Sequence, residues 1–530
     1  MDHDVPGTGV GRTRRGRATV AARARRTARA ALGGRAARAV ALAAVAGMGL
    51  FVAFWHLGAQ TPHVDEFTYA GAGWQYVHGV LTANLQHPPT AKDLYGVAQL
   101  VLGEGVGSAR VVAAAASFAT GVVLYLWLRR PVGHWGALLA AGWWWTAPRS
   151  DSPTWADVAS GAAARIDRLA LLEPVMVCFA VAAVAAAWHA VHVVGEGPGS
   201  RWWGGPWRAA AAWWALSGAL LALSVTSKVS TAVVVLAIAA LPALSGRWRT
   251  YATGGVVAAL SFVVVAAAVY LPVGGIRAVR FMLAFQGAHD LRGHATVLLG
   301  QRVQHAPWWA NGVRVVEGVG WPTVAVLVVG VVAALVVRPD RLVAVLGIAL
   351  AALVVFYATT DVALPYYYDA WMPWAIALAA IGTVRAARLR PPVTVVVAVL
   401  LVAVTLVPAA VLVRAVAETR VTGFARLDAV LADRGVPRGD RILVAGAPRG
   451  AFSPWTGRRA STQAVARGAF GVLVEAPDAR FPTAPSLRRL LADDRGHFTS
   501  FRVDFLRVWV VRDGEAVRRS GDGFALVRTR

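Results

Sequence analysis

Asp65 and Glu66 are neighbouring carboxylates just beyond the first long apolar run of the chain, and His87-Pro88-Pro89-Thr90-Ala91-Lys92 follows soon after. Ionisable side chains gathered at the mouth of an apolar segment are costly, so they point to chemistry there. A second group lies further along: Arg168 and Glu173 where another apolar run begins, Lys228 between two more, and His294 in a long polar loop. Lys92 and Lys228 are the only lysines in a chain whose Lys and Arg together number 53. A general bias toward Arg accounts for this as well as does a need for a compact point charge against phosphate at one or both places.

The elements that must position these groups are apolar spans. With 57% apolar residues and a positive mean hydropathy, the composition is that of an integral membrane protein rather than a soluble core. Runs long enough to cross the hydrocarbon at about 1.5 Å per residue predict eleven spans. They are Ala39–Leu57, Ala109–Leu128, Val132–Ala147, Leu169–Val194, Ala209–Thr226, Val229–Leu244, Ala252–Leu271, Trp321–Val337, Leu342–Tyr357, Pro365–Val384 and Val393–Val413. Several are short, which predicts tilted, broken or half-buried helices among them.

Arginine placement sets the expected orientation, because short cytoplasmic loops carry the Lys/Arg excess. The tail before Ala39 holds Arg12, Arg14, Arg15, Arg17, Arg23, Arg25, Arg26, Arg29, Arg35 and Arg38 against Asp2 and Asp4, and it is expected to be cytoplasmic and disordered. Counted from there, Arg129 and Arg130, Arg201 and Arg208, Arg247 and Arg249, Arg338 and Arg341, and Arg385, Arg388 and Arg390 all fall on the same inner side. Asp65, Glu66, Lys92, the Asp151 to Asp167 stretch, Lys228, the loop from Pro272 to Gly320 and Asp361 to Tyr368 then face outward, as does the C-terminus. The expected location is the plasma membrane, crossed many times.

The formal charge of +25 comes largely from these topology signals and the tail, which suit anionic lipid heads; nucleic acid is not an expected partner. No small-residue cleavage site follows the first apolar core, so a retained span is expected there rather than a targeting peptide. Cys178 is the only cysteine, which rules out an intramolecular disulfide and a thiolate metal site. His289, His294 and His305, with Asp290 nearby, do not follow a recognised zinc-ligand spacing. No cofactor is therefore expected, although a divalent metal is left open. No internal repeat is evident. The extreme Arg and Ala usage points to a GC-rich bacterial genome of actinobacterial type.

Four segments, in order, resemble one family. Asp65-Glu66 resembles the acidic pair in the first outer loop of the protein O-mannosyltransferase and aminoarabinose-transferase group of polytopic glycosyltransferases. His87-Pro88-Pro89-Thr90-Ala91-Lys92 is similar to its His-Pro-Pro-x-x-Lys segment. The run from Arg168 to Glu173 and Pro174 is similar to its Arg-x-x-Leu-Leu-Asp-Pro helix start, with Glu for Asp. Gly293-His294 to Gly300, with Trp308-Trp309 behind it, resembles the Gly-His…Leu-Gly…Trp-Trp stretch of bacterial members. The Leu364-Pro365-Tyr366-Tyr367-Tyr368 mouth is only loosely similar to the family's Arg-x-Leu-Leu-Pro element.

The resemblance implies the GT-C fold, a polyprenyl-phosphate sugar donor and inversion at the anomeric carbon. Such a reaction needs a base for the acceptor hydroxyl and cations for the departing phosphate. Asp65 is the candidate base. Glu66 orients acceptor or donor sugar, or is a solvated loop acid. Lys92 and Arg168 are candidate phosphate clamps; Arg168 alternatively pairs with Asp167 or Glu173 as an anchor. Lys228 binds phosphate or snorkels to the interface. His87, held by two prolines, and His294 contact sugar or phosphate, or serve as structural caps. Trp308-Trp309 suits an interfacial anchor better than a sugar platform.

Beyond Val413 the apolar runs shorten and charges of both signs return. A small outward-facing α/β domain is expected over 422–530, with helices at Phe424–Arg434 and Ser486–Asp494 and strands at Arg441–Ala445, Gly471–Glu475 and Phe505–Val511. Its Gly446-Ala-Pro-Arg-Gly450 turn lacks the lysine and spacing of a phosphate loop. It recognises acceptor or braces the outer loops.

The leading expectation is an inverting glycosyltransferase acting on an outward-facing hydroxyl of a protein, glycan or lipid, in contact with membrane lipids. A lipid or lipid-linked sugar transporter is the rival from another class, although transporters place ionisable sites near the midplane of repeats. A non-catalytic cell-envelope scaffold is the second rival.

Overall fold

The computed structural model describes residues 34–59, 63–150, 165–193, 205–246, 248–389, 391–421, 423–446, 456–475 and 482–529. The tail as far as residue 33, most of the Asp151 to Asp167 stretch, Arg201, Arg247, Arg390 and the Gly446–Gly450 turn beyond Gly446 lie outside the described residues.

Helices α1 (Gly34–Phe54), α2 (Val64–Val77), α3 (Thr90–Leu102), α4 (Val106–Leu128) and α5 (His134–Thr146) open the chain. They are followed by α6 (Leu172–Val193), α7 (Gly205–Val225), α8 (Val235–Leu244), α9 (Trp248–Tyr270) and α10 (Ile276–Arg292). A hairpin of β1 (Thr296–Leu298) and β2 (Gln301–Val303) leads to α11 (Ala310–Val319), α12 (Trp321–Val336), α13 (Arg341–Ala358), α14 (Met372–Ala386) and α15 (Pro391–Ala417).

Each of the eleven apolar segments is helical, but the count of eleven spans is not reproduced. Among the described residues seven helices (α1, α4, α6, α7, α9, α13 and α15) are long and apolar enough to cross a membrane. An eighth crossing arises only if α11 and α12, bent by 114° at Gly320, act as one. The reason is length. The 13 residues of α5 and the 15 of α14 reach about 20 Å at 1.5 Å per residue. The segment from Val229 spends its first six residues in a 3₁₀ turn before α8.

Helix α6 lies at the centre. Val181, Ala183, Val184, Ala187 and Ala190 are fully buried against α4 and α7. Small residues let helix backbones close up where lipid supplies no hydrophobic driving force between helices. Trp308, Trp309 and Trp321 are exposed, as expected of interfacial anchors.

The C-terminal part carries α16 (Phe424–Asp433), β3 (Ile442–Ala445), β4 (Ala460–Thr462), β5 (Ala469–Phe470), β6 (Val472–Glu475), α17 (Pro485–Asp493), β7 (Phe498–Val503), β8 (Leu506–Val511), β9 (Glu515–Ser520) and β10 (Gly523–Arg528). A five-stranded sheet has the order β4-β3-β6-β8-β7, with β3 parallel to both β4 and β6, and a three-stranded sheet has the order β10-β9-β5. Alternation along β3 explains the layers. Ile442 and Val444 pack with Leu427 and Leu431 of α16 on one face, while Leu443 and Ala445 pack with Leu487 and Leu491 of α17 on the other.

Candidate active site

Asp65 and Glu66 sit in the first turn of α2, where carboxylates complement the helix dipole. His63 caps that helix: its Nδ1 accepts from Asp65 N at 3.2 Å, while Glu66 Oε2 accepts from His63 N at 2.8 Å. The same Nδ1 lies 3.6 Å from Asp65 Oδ2.

Consecutive residues on one helix face different surroundings, and here the difference is complete. Glu66 is fully buried. Its Oε1 accepts from Arg110 Nε at 2.8 Å and Ala170 N at 2.7 Å, and its Oε2 also accepts from Arg110 Nη2 at 2.7 Å. With the His63 bond, four protein donors occupy this carboxylate. Asp65 keeps 30% of its side chain exposed, and Oδ2 accepts from Tyr366 Oη at 2.6 Å. Its Oδ1 has no hydrogen-bond partner among the described residues.

Helix α3 is set against α2 by backbone contact at two glycines. A Cβ on Gly73 would come within 2.3 Å of Lys92 O, and one on Gly96 within 2.2 Å of Gly73 O. The His-Pro-Pro segment leads into α3, and its Thr90 N donates to Thr226 O at 2.9 Å. The hydroxyls of Thr90 and Thr226 are 2.7 Å apart. These bonds tie the Lys92 helix to the turn that carries Lys228.

Lys92 is completely buried, donates to the carbonyls of Asn84 at 2.6 Å and His87 at 2.8 Å, and stands 5.0 Å from the Tyr76 ring centroid. Burial lowers its pKa to about 7, against a smaller raising effect of Asp93, whose own carboxyl is pushed up by burial to about 6. His87 packs edge-on to Tyr69, with Gln286 Nε2 at 3.4 Å from Nδ1. Burial, then the cations of Lys228 and Lys92, press its pKa down to about 3, so the ring is neutral.

Lys228 Nζ pairs with Glu173 Oε1 and lies 4.0 Å from the Tyr367 centroid and 5.5 Å from that of Tyr366. Glu173 Oε2 is buried without a partner. Arg168 is buried, donates through Nη2 to Trp55 O, and leaves Nε unpartnered. The expected alternative of an Arg168 pair with Asp167 or Glu173 does not form among the described residues. Asp167 is held by Arg149, Arg165 and Ser117, and Glu173 by Lys228.

The structure thus brings Asp65, Lys228 and Glu173 together around Tyr366 and Tyr367, while His87 packs on Tyr69 and Lys92 holds the loop that carries His87. Glu66 adjoins this group as the next residue after Asp65, whereas Arg168 contacts Trp55 O and none of these side chains among the described residues. His294 is exposed at the end of the α10 loop, 5.6 Å ring to ring from His289, and contacts none of the others among the described residues. Among those residues no group of three His, Cys, Asp or Glu is arranged to hold a metal.

Sequence reasoning missed Arg110 and the buried set of Arg149, Arg165 and Asp369, and named Tyr366 only within the Leu364–Tyr368 mouth without giving it a role. Arg110 was detectable as a lone cation inside an apolar segment. For Tyr366 the signal was three consecutive tyrosines at the mouth of another.

An apolar cavity of about 730 Å³ opens between α7, α8 and α9, lined by residues such as Trp214, Leu221, Ile238 and Phe262. Val225 and Ala232, at its rim, bracket Lys228 in the chain.

No protein-family model and no curated protein sequence matches the chain. Solved structures do. ArnT from Cupriavidus metallidurans superposes with TM-score 0.55 at 14% identity, over 90% of this chain and 98% of that one. Its structure bound to undecaprenyl phosphate gives 0.55 at 15% identity, over 89% and 97%. The chain has the GT-C fold. The archaeal oligosaccharyltransferase AglB from Archaeoglobus fulgidus, in complex with an inhibitory peptide and a dolichol-phosphate, matches this GT-C chain with TM-score 0.52 at 10% identity, over 93% and 74%. Fold class and the motif resemblance therefore agree, and the chain is a multi-pass membrane protein.

Proposed function

We propose that this chain is an inverting glycosyltransferase that takes a sugar from a polyprenyl-phosphate donor and places it on an acceptor hydroxyl at the outer face of the membrane. The observation that carries this reading is Asp65. Tyr366 fixes one carboxylate oxygen, the other is unengaged, and Lys228 lies over the same tyrosine.

In this reading Asp65 Oδ1 accepts the acceptor's proton as the acceptor oxygen bonds to the anomeric carbon. The bond from that carbon to the phosphate oxygen breaks on the opposite face, and the electron pair leaves with the lipid phosphate. Direct displacement inverts the centre and needs no covalent sugar–enzyme intermediate. Lys228 and Arg168 receive the phosphate charge. Arg168 brings an unused buried N–H, and Lys228 can exchange its Glu173 contact for phosphate. Lys92 holds the Asn84 to His87 loop against the site, and neutral His87 offers a hydrogen bond to sugar or phosphate. Glu66 acts through Arg110 and His63 as a brace. His294 serves the loop rim.

The apolar cavity between α7, α8 and α9 suits the first isoprene units of the donor, placing lipid in the membrane and phosphate at Lys228. The likeness to a fold solved with undecaprenyl phosphate and with a dolichol-phosphate supports that donor class.

The test is transfer of radiolabelled sugar from a polyprenyl-phosphate donor in membranes containing the protein. Label must appear on an acceptor and disappear in Asp65→Asn at equal expression. Label that crosses the membrane while still on lipid would favour the transporter, and unimpaired transfer by Asp65→Asn would remove the mechanism.

A further inference from the structure

A cavity of about 620 Å³ lies at the far end of the helix bundle, and the mechanism does not use it. Helix α4 fixes its distance from the candidate site. Arg110, near the start of that helix, holds Glu66, and Arg129 follows its last residue, so about 28 Å separates the two at 1.5 Å per residue. Arg38 from α1, Arg129 and Arg130 from the end of α4, and Arg388 from beyond α14 all line the cavity. None of the four makes an ion pair among the described residues, and no carboxylate is among the lining residues.

The first turn of α5 completes the wall. Its cap residue Gly133 offers no side chain, so the free N–H groups of that turn and the positive end of the helix remain uncapped. His134 is held at 2.9 Å by Tyr125, and Trp135, 56% exposed, stands at the rim where an interfacial tryptophan belongs.

We propose that this cavity is a binding site for the phosphate headgroup of an anionic phospholipid. Arginines scattered along a membrane face follow from topology alone, but four guanidiniums without an ion pair among the described residues, meeting a bare helix start in one concavity, do not. Guanidinium forks and backbone N–H groups suit phosphate oxygens. A lipid fits better than free phosphate because Val132, Val384 and Trp135 give the cavity an apolar side at the level where the spans end. A bound headgroup would tie α1, the turn between α4 and α5, and the end of α14 together.

The experiment is native mass spectrometry of the full chain, purified in neutral detergent and offered dioleoylphosphatidylglycerol, dioleoylphosphatidylcholine or millimolar inorganic phosphate. The wild type is expected to retain one phosphatidylglycerol in preference to phosphatidylcholine, undisturbed by inorganic phosphate. R129A/R130A/R388A should weaken that retention about a hundredfold. R338A/R341A, which removes two exposed arginines elsewhere, should not. The single variant Arg388→Ala, expected to lose about fivefold, gives the reading should the triple variant fail to fold. Equal retention by wild type and R388A, equal loss in the control, or displacement of lipid by inorganic phosphate would each overturn the proposal. Because retention is read directly, the result is independent of sugar transfer.

Discussion

The hydroxyl of Tyr366 donates to Oδ2 of Asp65 at 2.6 Å, joining residues 301 positions apart in the chain. It fixes the carboxylate and leaves the second oxygen facing the site. Asp65→Asn should therefore lower transfer by at least about a hundredfold, the usual range for a positioned base. Tyr366→Phe should cost about tenfold, one hydrogen bond's worth of positioning. Both are measured with labelled donor, beside an unfolding midpoint that should stay within a few degrees of wild type.

Glu66 is expected to behave differently from its neighbour. Removing one partner of its buried pair by Arg110→Ala strands a charge and should cost about 3–5 kcal/mol of stability. A detergent-solubilised thermal melt reads this directly. An Arg110→Ala protein that melts normally yet cannot transfer sugar would move Glu66 into the chemistry.

For Lys228, the expected effect is on donor affinity. Lys228→Ala should raise KM for the polyprenyl donor about tenfold or more through loss of a charge-assisted contact to phosphate. KM for the acceptor should change little. An acceptor-only effect would contradict the phosphate assignment.

The pH response of stability has two parts with the same sign, in separate windows. His87 has a folded pKa lowered to about 3, so between about 3 and 6.5 the unfolded chain binds the proton and the folded chain does not. Stability contributed by neutral His87 is complete above 6.5 and is lost as pH falls through that window; His87→Gln should flatten this acid limb in melts. Lys92, lowered to about 7, is also more protonated when unfolded, so its burial cost diminishes as pH rises from about 7 toward 10.5. Its charge, however, is what holds the Asn84 and His87 carbonyls. Transfer should decline above pH 7 even as the Lys92 contribution raises the melting temperature, and a Lys92→Arg protein should shift that decline upward.

The α2–α3 contact gives a fifth expectation. Gly96→Ala places a methyl 2.2 Å from Gly73 O, so the helices must separate. Stability should fall by about 1–3 kcal/mol, as for other overpacked contacts, and transfer should fall with it. Unchanged melting and activity would show that this approach is not needed.

Much of this arrangement was legible in the sequence, and the boundary of what was legible has a physical reason. Apolar length reported the helices, since a span must bury its backbone in lipid whatever it packs against. It could not report that α5 and α14 stop short, or that the chain turns by 114° at Gly320, because neighbouring helices decide both. Asp65, His87, Lys92 and Lys228 stood out as costly residues in costly places. Their division of labour did not, because it rests on partners remote in the chain: Arg110 for Glu66, Tyr366 for Asp65, Thr226 for Thr90. In the C-terminal part, the buried strands β3, β6 and β8 were visible as apolar runs, whereas β4, β5, β7, β9 and β10 are short or half exposed and leave no such trace.

The fourfold hold on Glu66 reaches beyond the residue itself. Successive side chains on a helix point about 100° apart, so clamping position 66 from three directions sets the rotational phase of all of α2, like a key in a shaft. A slip by one residue would turn the unengaged oxygen of position 65 into the wall and bring the sealed acid to the opening. In the proposed mechanism the adjacent pair works as a gauge and a tool on one axle, and a substitution at Arg110 should both loosen the fold and mis-aim position 65.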